Sequence, residues 1–450
     1  MNEYTDSDPG NTAAAALPID PESAAALAAQ GLELGLVDPA DADATRRWLL
    51  ADARGFHDAT PSDESLAVQA KDVDGDRVTA VWDRSAADPA TPVATVRCWE
   101  MGLTVPGGDG IAAWAISSVT VSPTHRRRGI ARALLTSELR TAQRRGLAMA
   151  MLTVSEATIY GRYGFGPSAH QAPYTVDTVR ARWAGPTAAG RVQFVSPESL
   201  LRDGPAVFER ARRRSPGEVD RREGWWKRAL GLVPAEPGSA KRSLRAVRYD
   251  DADGTGQGFA LYTIVLENGS FPGRLELADL VAATDDAYAA LWRYLIEMDL
   301  VSEIRAPLRS VSEPVAWQVA DRRTVRKTDE RDHLWLRILD VPAALGRRRY
   351  FAPGEFVLEV ADDLGFAGGE YLLAVGPDGR AAAHPLTGPA PRTAARVALS
   401  VADLAALYLG GGSAEDLARA GRLVERTADA AARLDSAFRS PHTPRLSTWF

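Results

Sequence analysis

Val119-Thr120-Val121-Ser122-Pro123-Thr124-His125-Arg126-Arg127-Arg128-Gly129-Ile130-Ala131 joins the end of an apolar strand to a helical pattern that runs from Ala131 to Arg145. A helix entered in this way points unpaired backbone N–H groups and the positive end of its dipole at the loop, and three arginines add full charges. Gly129 leaves an anion room to approach the backbone where a side chain would obstruct it. A diphosphate fits that description. Runs of three basic residues are more often solvated faces, which is the reading for Arg212-Arg213-Arg214 and Arg347-Arg348-Arg349. The glycine and the preceding apolar strand set the first run apart.

The spacing Arg126-x-x-Gly129-x-Ala131 resembles the acetyl-CoA loop of the GNAT N-acetyltransferases, and the resemblance implies acyl transfer. After the loop come the helix, an apolar run from Ala148 to Val154, and then Ser155-Glu156-Ala157-Thr158-Ile159-Tyr160-Gly161-Arg162-Tyr163-Gly164-Phe165-Gly166. Ser155 and Glu156 open a short helix carrying Tyr160. When an amine attacks a thioester, the tetrahedral intermediate expels a thiolate, and a phenol beside the sulfur can protonate it on departure. A phenol suits this task because it is neutral at pH 7. In an arbitrary sequence Tyr160 would be a buried structural tyrosine. Here one helix and one strand separate it from the arginine loop, which brings the thioester to the start of its helix.

A chain of 450 residues exceeds one ordinary core, and at about 150 residues per domain roughly three are expected. The formal charge is −6, but nine acidic residues and no Lys or Arg fall between Met1 and Thr45, so the remainder is slightly basic and no bulk field explains function. Cys98 is the only cysteine, which excludes an internal disulfide and a cysteine-cluster metal site; it reads as a buried thiol. The six histidines lack H-E-x-x-H or similar spacing, so no metal is expected. Neither a secretory signal nor a membrane span of about 20 apolar residues is visible, so a cytoplasmic protein is expected, with no membrane or nucleic-acid partner.

Residues 1–30 are rich in Ala, Pro and Asp and poor in branched and aromatic side chains, the composition of a disordered leader. Residues 31–185 read as alternating strands and helices with the arginine loop. Residues 186–333 repeat that grammar, but their strand-to-helix junction is Ala282-Ala283-Thr284-Asp285-Asp286, whose carboxylates would repel a diphosphate. This unit reads as a copy that has lost its cofactor. Residues 334–450 open with the alternating Leu334 to Leu339 and Asp340 as a helix cap, in a succession similar to a sterol carrier protein domain. Gly254 and Gly410 to Gly412 read as a turn and a helix stop. Pro441 and Pro444 force the last segment to be extended, able to cross to another domain, with Leu446, Trp449 and Phe450 as apolar anchors.

The arginine loop together with Ser155-Glu156 and Ile159 to Gly166 resembles the Eis (enhanced intracellular survival) family from about Leu32 to Phe450. The resemblance implies an α+β chain of two tandem GNAT domains, the second degenerate, followed by a sterol-carrier-like domain, assembled as a homohexamer. It implies that Val119, Thr120, Val121, Arg127, Arg128, Gly129, Ile130, Ala131, Arg132, Ser155 and Glu156 hold acetyl-CoA. The edge of Val119 to Val121 would pair with the pantetheine amides as another strand would. Tyr160 would be the general acid and the C-terminal carboxylate, on Phe450, the general base. The acceptor would be one or more primary amines of an aminoglycoside, acetylated directly in a ternary complex. The loop after the first helix borders the acceptor in GNAT enzymes, which makes Phe56 and Asp58 candidates, while His57 reads as a solvated loop residue. Lysine acetylation on peptides or proteins, and a non-catalytic acyl-CoA or lipid-binding protein, remain open as alternatives.

Overall fold

A computed structural model of the chain describes residues 17–233, 243–267 and 269–450. The first helix, α1 (Pro21–Ala28), lies inside the segment expected to be a disordered leader, and that expectation is corrected for it. Asp20 caps it by accepting from the Ser23 amide at 2.9 Å and also pairs with Arg140 at 2.8 Å, while Leu27 is buried. An alanine-rich segment cannot build a core, but one leucine and one buried carboxylate are enough to dock a helix on a neighbour. The rest of the expected leader, residues 1–16, lies outside the described residues.

Strand β1 (Leu32–Leu36) is followed by α2 (Ala42–Gly55), α3 (Asp63–Val73), β2 (Arg77–Asp83), β3 (Ala94–Thr104) and β4 (Gly110–Val121). After the arginine loop come α4 (Ile130–Arg144), β5 (Met149–Thr153), the short α5 (Ala157–Tyr160) and β6 (Gly166–Asp177). Strands β1 to β4 pair antiparallel, and β5 joins β4 in parallel. Alternation along β3 sends Val96 and Cys98 to the α4 face and Thr95, Arg97 and Trp99 to the opposite face. On the α4 face the Arg77 and Glu138 side chains, both fully enclosed, pair at 3.0 Å and fix the helix to β2. Cys98 is buried beside them, and burial pushes its thiol up, so it is no nucleophile.

The second unit contains β7 (Arg191–Phe194), α6 (Pro197–Arg212), α7 (Glu223–Ala229), β8 (Arg245–Asp250), β9 (Gly256–Glu267), β10 (Ser270–Ala282), α8 (Asp285–Ile296), β11 (Val301–Arg309), β12 (Val325–Lys327) and β13 (Arg331–Ile338). The two units share one sheet, in the order β1-β2-β3-β4-β5-β13-β6-β11-β10-β9-β8-β7, because they exchange strands. Gly166 to Gln171 of β6 pair with β13, and Ala172 to Asp177 continue into β11. Leu334 to Ile338 therefore do not open the third domain, as the sequence reading had it. They fill the gap between β5 and β6 of the first domain. Burial on both faces explains why this strand runs Leu-Trp-Leu-Arg-Ile without polar alternation.

The third unit is α9 (Val341–Arg347), β14 (Gly354–Ala361), β15 (Gly369–Val375), β16 (Ala381–Pro385), β17 (Ala395–Ser400), α10 (Val401–Tyr408), α11 (Ala414–Arg419), β18 (Leu423–Glu425) and α12 (Ala430–Phe438). Its strands form a separate sheet in the order β16-β15-β14-β17-β18. Helix α10 rests on β6 so closely that a Cβ on Gly166 would lie 1.9 Å from the Ala402 carbonyl oxygen, which only glycine permits. Buried Arg337 of β13 clasps the first and third units, donating to the Tyr163 carbonyl at 2.6 Å and to both oxygens of Asp362 at 2.7 Å. No helix among the described residues is long and apolar enough to cross a membrane.

Candidate active site

Strands β4 and β5 pair only at Trp114–Ala150 and Ala115–Met151, after which they part and open a wedge in the sheet. On the β4 side of the wedge an extra residue makes a bulge: Thr95 faces Thr120 but Arg97 faces Ser117. Ser118 takes the positive φ of 54° that the bulge demands, and the Thr95 hydroxyl donates to its carbonyl at 2.8 Å. Val119 and Val121 then turn to the α4 core, leaving the strand end at the wedge mouth.

The chain enters α4 through Arg127 (φ 63°) and Gly129 (φ 71°), both in the left-handed region. No side chain caps α4. By contrast, α8 of the second unit is capped by the Thr284 hydroxyl, which accepts from the Ala287 amide at 3.1 Å. Of the four arginines at the loop, Arg128 is committed to the protein, donating to the Gln30 carbonyl at 2.8 Å and lying 3.7 Å from Asp83. Asp83 also holds His125 at 3.1 Å, and the Ser85 hydroxyl, then His125, keep its carboxyl down at about 2. Arg126, Arg127 and Arg132 are exposed, with no ion pair among the described residues. The loop is thus braced by Arg128 and His125 and offers three guanidinium groups.

Ser155 and Glu156 are exposed just beyond β5, and Tyr160 is 6% exposed at the end of α5. Its ring meets Phe165 edge to face at 6.2 Å. Burial raises the Tyr160 phenol above its ordinary range and the Ser155 hydroxyl opposes this, so the group is protonated at neutral pH. Tyr163 is buried in the same core.

The last segment crosses from the third unit along the second to the first. Arg445 pairs with Glu218 at 3.0 Å, Ser447 accepts from Arg221 at 2.8 Å, and Thr448 accepts from the Trp225 indole at 2.7 Å. His333 meets the Thr448 carbonyl at 2.8 Å and packs against Trp449, which is itself 53% exposed. Leu446 is fully buried. At Phe450 the main-chain oxygen accepts from Thr153 Oγ1 at 2.7 Å and the ring lies 6.0 Å from Trp99. That oxygen thus lies on the last residue of β5, two residues before Ser155 in sequence.

On the β4 side of the same face stands the end of α2. Phe56 is 45% exposed and Asp58 is exposed, both at the surface, and His57 adopts a φ of 62° in the turn between them. No contact among the described residues joins Phe56 or Asp58 to Phe450. The structure adds a residue that sequence reading passed over. Asp52, one turn before Phe56, accepts from the Ser118 hydroxyl at 3.3 Å, while its Oδ1 is enclosed with no donor among the described residues. Burial pushes its carboxyl up to about 6, against the Ser118 hydroxyl and Arg97 and with Asp58. The signal was a carboxylate at the helical spacing of buried Trp48.

A cavity of about 420 Å³ lies in the second unit, among Arg214, Arg309, Arg445, Tyr288 and Glu218. Its arginines are paired internally, with Asp285, Glu313 and Glu218 respectively. Asp285 is therefore paired with Arg214, and the Thr284 cap already takes one of the α8 amides. Among the described residues no group of three or more His, Cys, Asp or Glu is placed to hold a metal ion.

Residues 37–168 match an acetyltransferase (GNAT) domain family, residues 217–338 match another, and residues 341–447 match the sterol carrier protein domain. Strand β13 thus falls within the second GNAT match. These domains and the wedge define a GNAT N-acetyltransferase, for which acetyl-CoA is the co-substrate. The N-acetyltransferase Eis of Mycobacterium tuberculosis is 34% identical over 80% of this chain and 87% of its own length. An uncharacterized N-acetyltransferase of Streptomyces griseus is 35% identical over 92% of this chain and 98% of its own. The crystal structure of Eis1 from Mycobacterium abscessus superposes with a TM-score of 0.77 at 28% identity, covering 93% of this chain and all of that one. The chain belongs to the Eis family of N-acetyltransferases.

Because Arg126 and Arg127 are two of the three loop arginines without an ion pair among the described residues, replacing both with alanine should weaken acetyl-CoA binding by about 10²- to 10⁴-fold, given about 1.5–3 kcal/mol per charge-assisted contact. Titration calorimetry with coenzyme A checks this, and unchanged affinity would place the diphosphate elsewhere.

Proposed function

We propose that this protein acetylates primary amines of polycationic small molecules, aminoglycosides being the nearest chemical class, by direct transfer from acetyl-CoA in a ternary complex. Acetyl-CoA is held by the β4 edge at Val119 to Val121, by the amides and arginines from Arg127 to Arg132, and by Ser155 and Glu156. The carboxylate of Phe450 takes a proton from the acceptor ammonium, directly or through water. The free amine attacks the thioester carbonyl, and the tetrahedral adduct collapses as the Tyr160 phenol protonates the departing thiolate and the proton left on the amide nitrogen returns through water to the phenolate. The observation that carries this reading is the docking of the Phe450 carboxyl on Thr153, on the segment that leads to Tyr160. Assembly as a hexamer and a cytoplasmic location complete the proposal and rest on the family likeness.

Following free thiol while purified protein meets acetyl-CoA and kanamycin tests it. Thiol release that needs both substrates is expected. Release with lysine peptides and not with kanamycin would move the acceptor class to proteins. Cofactor binding without turnover for any amine would refute the transfer reading.

A further inference from the structure

The Asp52 carboxyl is chemically incomplete as it stands. Oδ2 has one long hydrogen bond from Ser118, and Oδ1 has none among the described residues. A half-buried carboxylate normally collects donors for both oxygens. The groups around it supply little: Arg97 on β3 pairs with Asp76 at 2.6 Å, Asp58 beyond α2 repels it, and the Thr95 hydroxyl, which also favours the Asp52 carboxylate, is shared with the Ser118 carbonyl and Thr120. Asp52 touches the bulge of β4, across the wedge from β5, where Phe450 docks on Thr153. Thr95 of β3, the neighbour of both Ser118 and Thr120, lies on the sheet face that also carries Trp99, the ring against Phe450. Phe56, four residues further along α2, lies on the same side of that helix.

We infer that Asp52 is the acceptor-recognition carboxylate of this site, its charge at the β4 bulge holding the ammonium of a cationic amine at the wedge while the Phe450 carboxylate works from the β5 side. The inference rests on the acetyltransferase reading of the same site. An ammonium brings three N–H donors and a full positive charge, which are what Oδ1 and the buried charge lack. Asp52 as a residue is partly exposed while Oδ1 is enclosed, so the carboxyl has to turn when the amine arrives. Near pH 6 the free carboxyl is partly protonated; amine binding favours the carboxylate, and the displaced proton passes to the buffer.

The test compares wild type, Asp52→Asn and Ser118→Ala with kanamycin as the probe. In Asp52→Asn the KM for kanamycin should rise about tenfold or more, with kcat and acetyl-CoA affinity nearly unchanged. The acidic limb of the kcat/KM profile near pH 6 should disappear. Calorimetry at pH 6 in two buffers of different ionisation enthalpy should show proton release on kanamycin binding to wild type and its loss in Asp52→Asn. An unchanged KM in Asp52→Asn overturns the inference. So does Ser118→Ala reproducing the whole effect, since Asp52 would then be a clip for the bulge. Wild type that does not bind kanamycin also overturns it. Binding with proton release but no thiol formed would sink the transfer chemistry and leave the recognition role standing.

Discussion

Tyr160→Phe is expected to lower kcat by about 10²- to 10³-fold, within the range that general acids contribute, while leaving acetyl-CoA affinity within about twofold. The substitution removes one oxygen and keeps the ring, so the edge-to-face contact with Phe165 and the surrounding core persist and melting should barely shift. What is lost is the proton for the thiolate. Burial raises the phenol and keeps it protonated at neutral pH, the state that the proposed acid role requires. Steady-state thiol release at saturating substrates measures the effect, and single-turnover acetylation separates chemistry from product release. If the saturated rate is unaltered, the proton comes from elsewhere and Tyr160 is a core residue.

The parts of this site that were legible in the sequence are those built from neighbours along the chain. The arginine loop is a strand end, two left-handed residues and a helix start within a dozen positions, and local rules cover all three. Tyr160 follows at a fixed spacing. Strand β13 was legible as a strand but was given to the wrong unit, because its pairing partners, β5 and β6, lie about 160 to 190 residues upstream. Helix α1 escaped because its stability comes from Arg140 and the core around Leu27, which composition does not reveal. Asp52 is the most instructive omission. On paper it is one acidic residue in an amphipathic helix, and its contact with Ser118 depends on the β4 bulge, a one-residue register shift in the β3–β4 hairpin some 65 residues downstream.

Extending the chain beyond Phe450 is expected to reduce kcat/KM for the amine by about 10²-fold or more, the other large effect. An extension converts the Phe450 carboxylate into a neutral amide and carries the new terminus roughly 3.3 Å further per added residue. The tail itself should remain seated, because Arg445, Ser447 and Thr448 hold it to Glu218, Arg221 and Trp225 independently of the last carboxyl. Acetyl-CoA binding and thermal stability should therefore be nearly those of the parent. The same residues added at the N-terminus serve as the control. Deleting Phe450 instead moves a carboxylate onto Trp449 and removes the ring that packs on Trp99, so activity should fall although a terminal charge remains. If the extended enzyme is fully active, the proton acceptor is another group, and Asp52, the other carboxylate at the wedge, is the first to test.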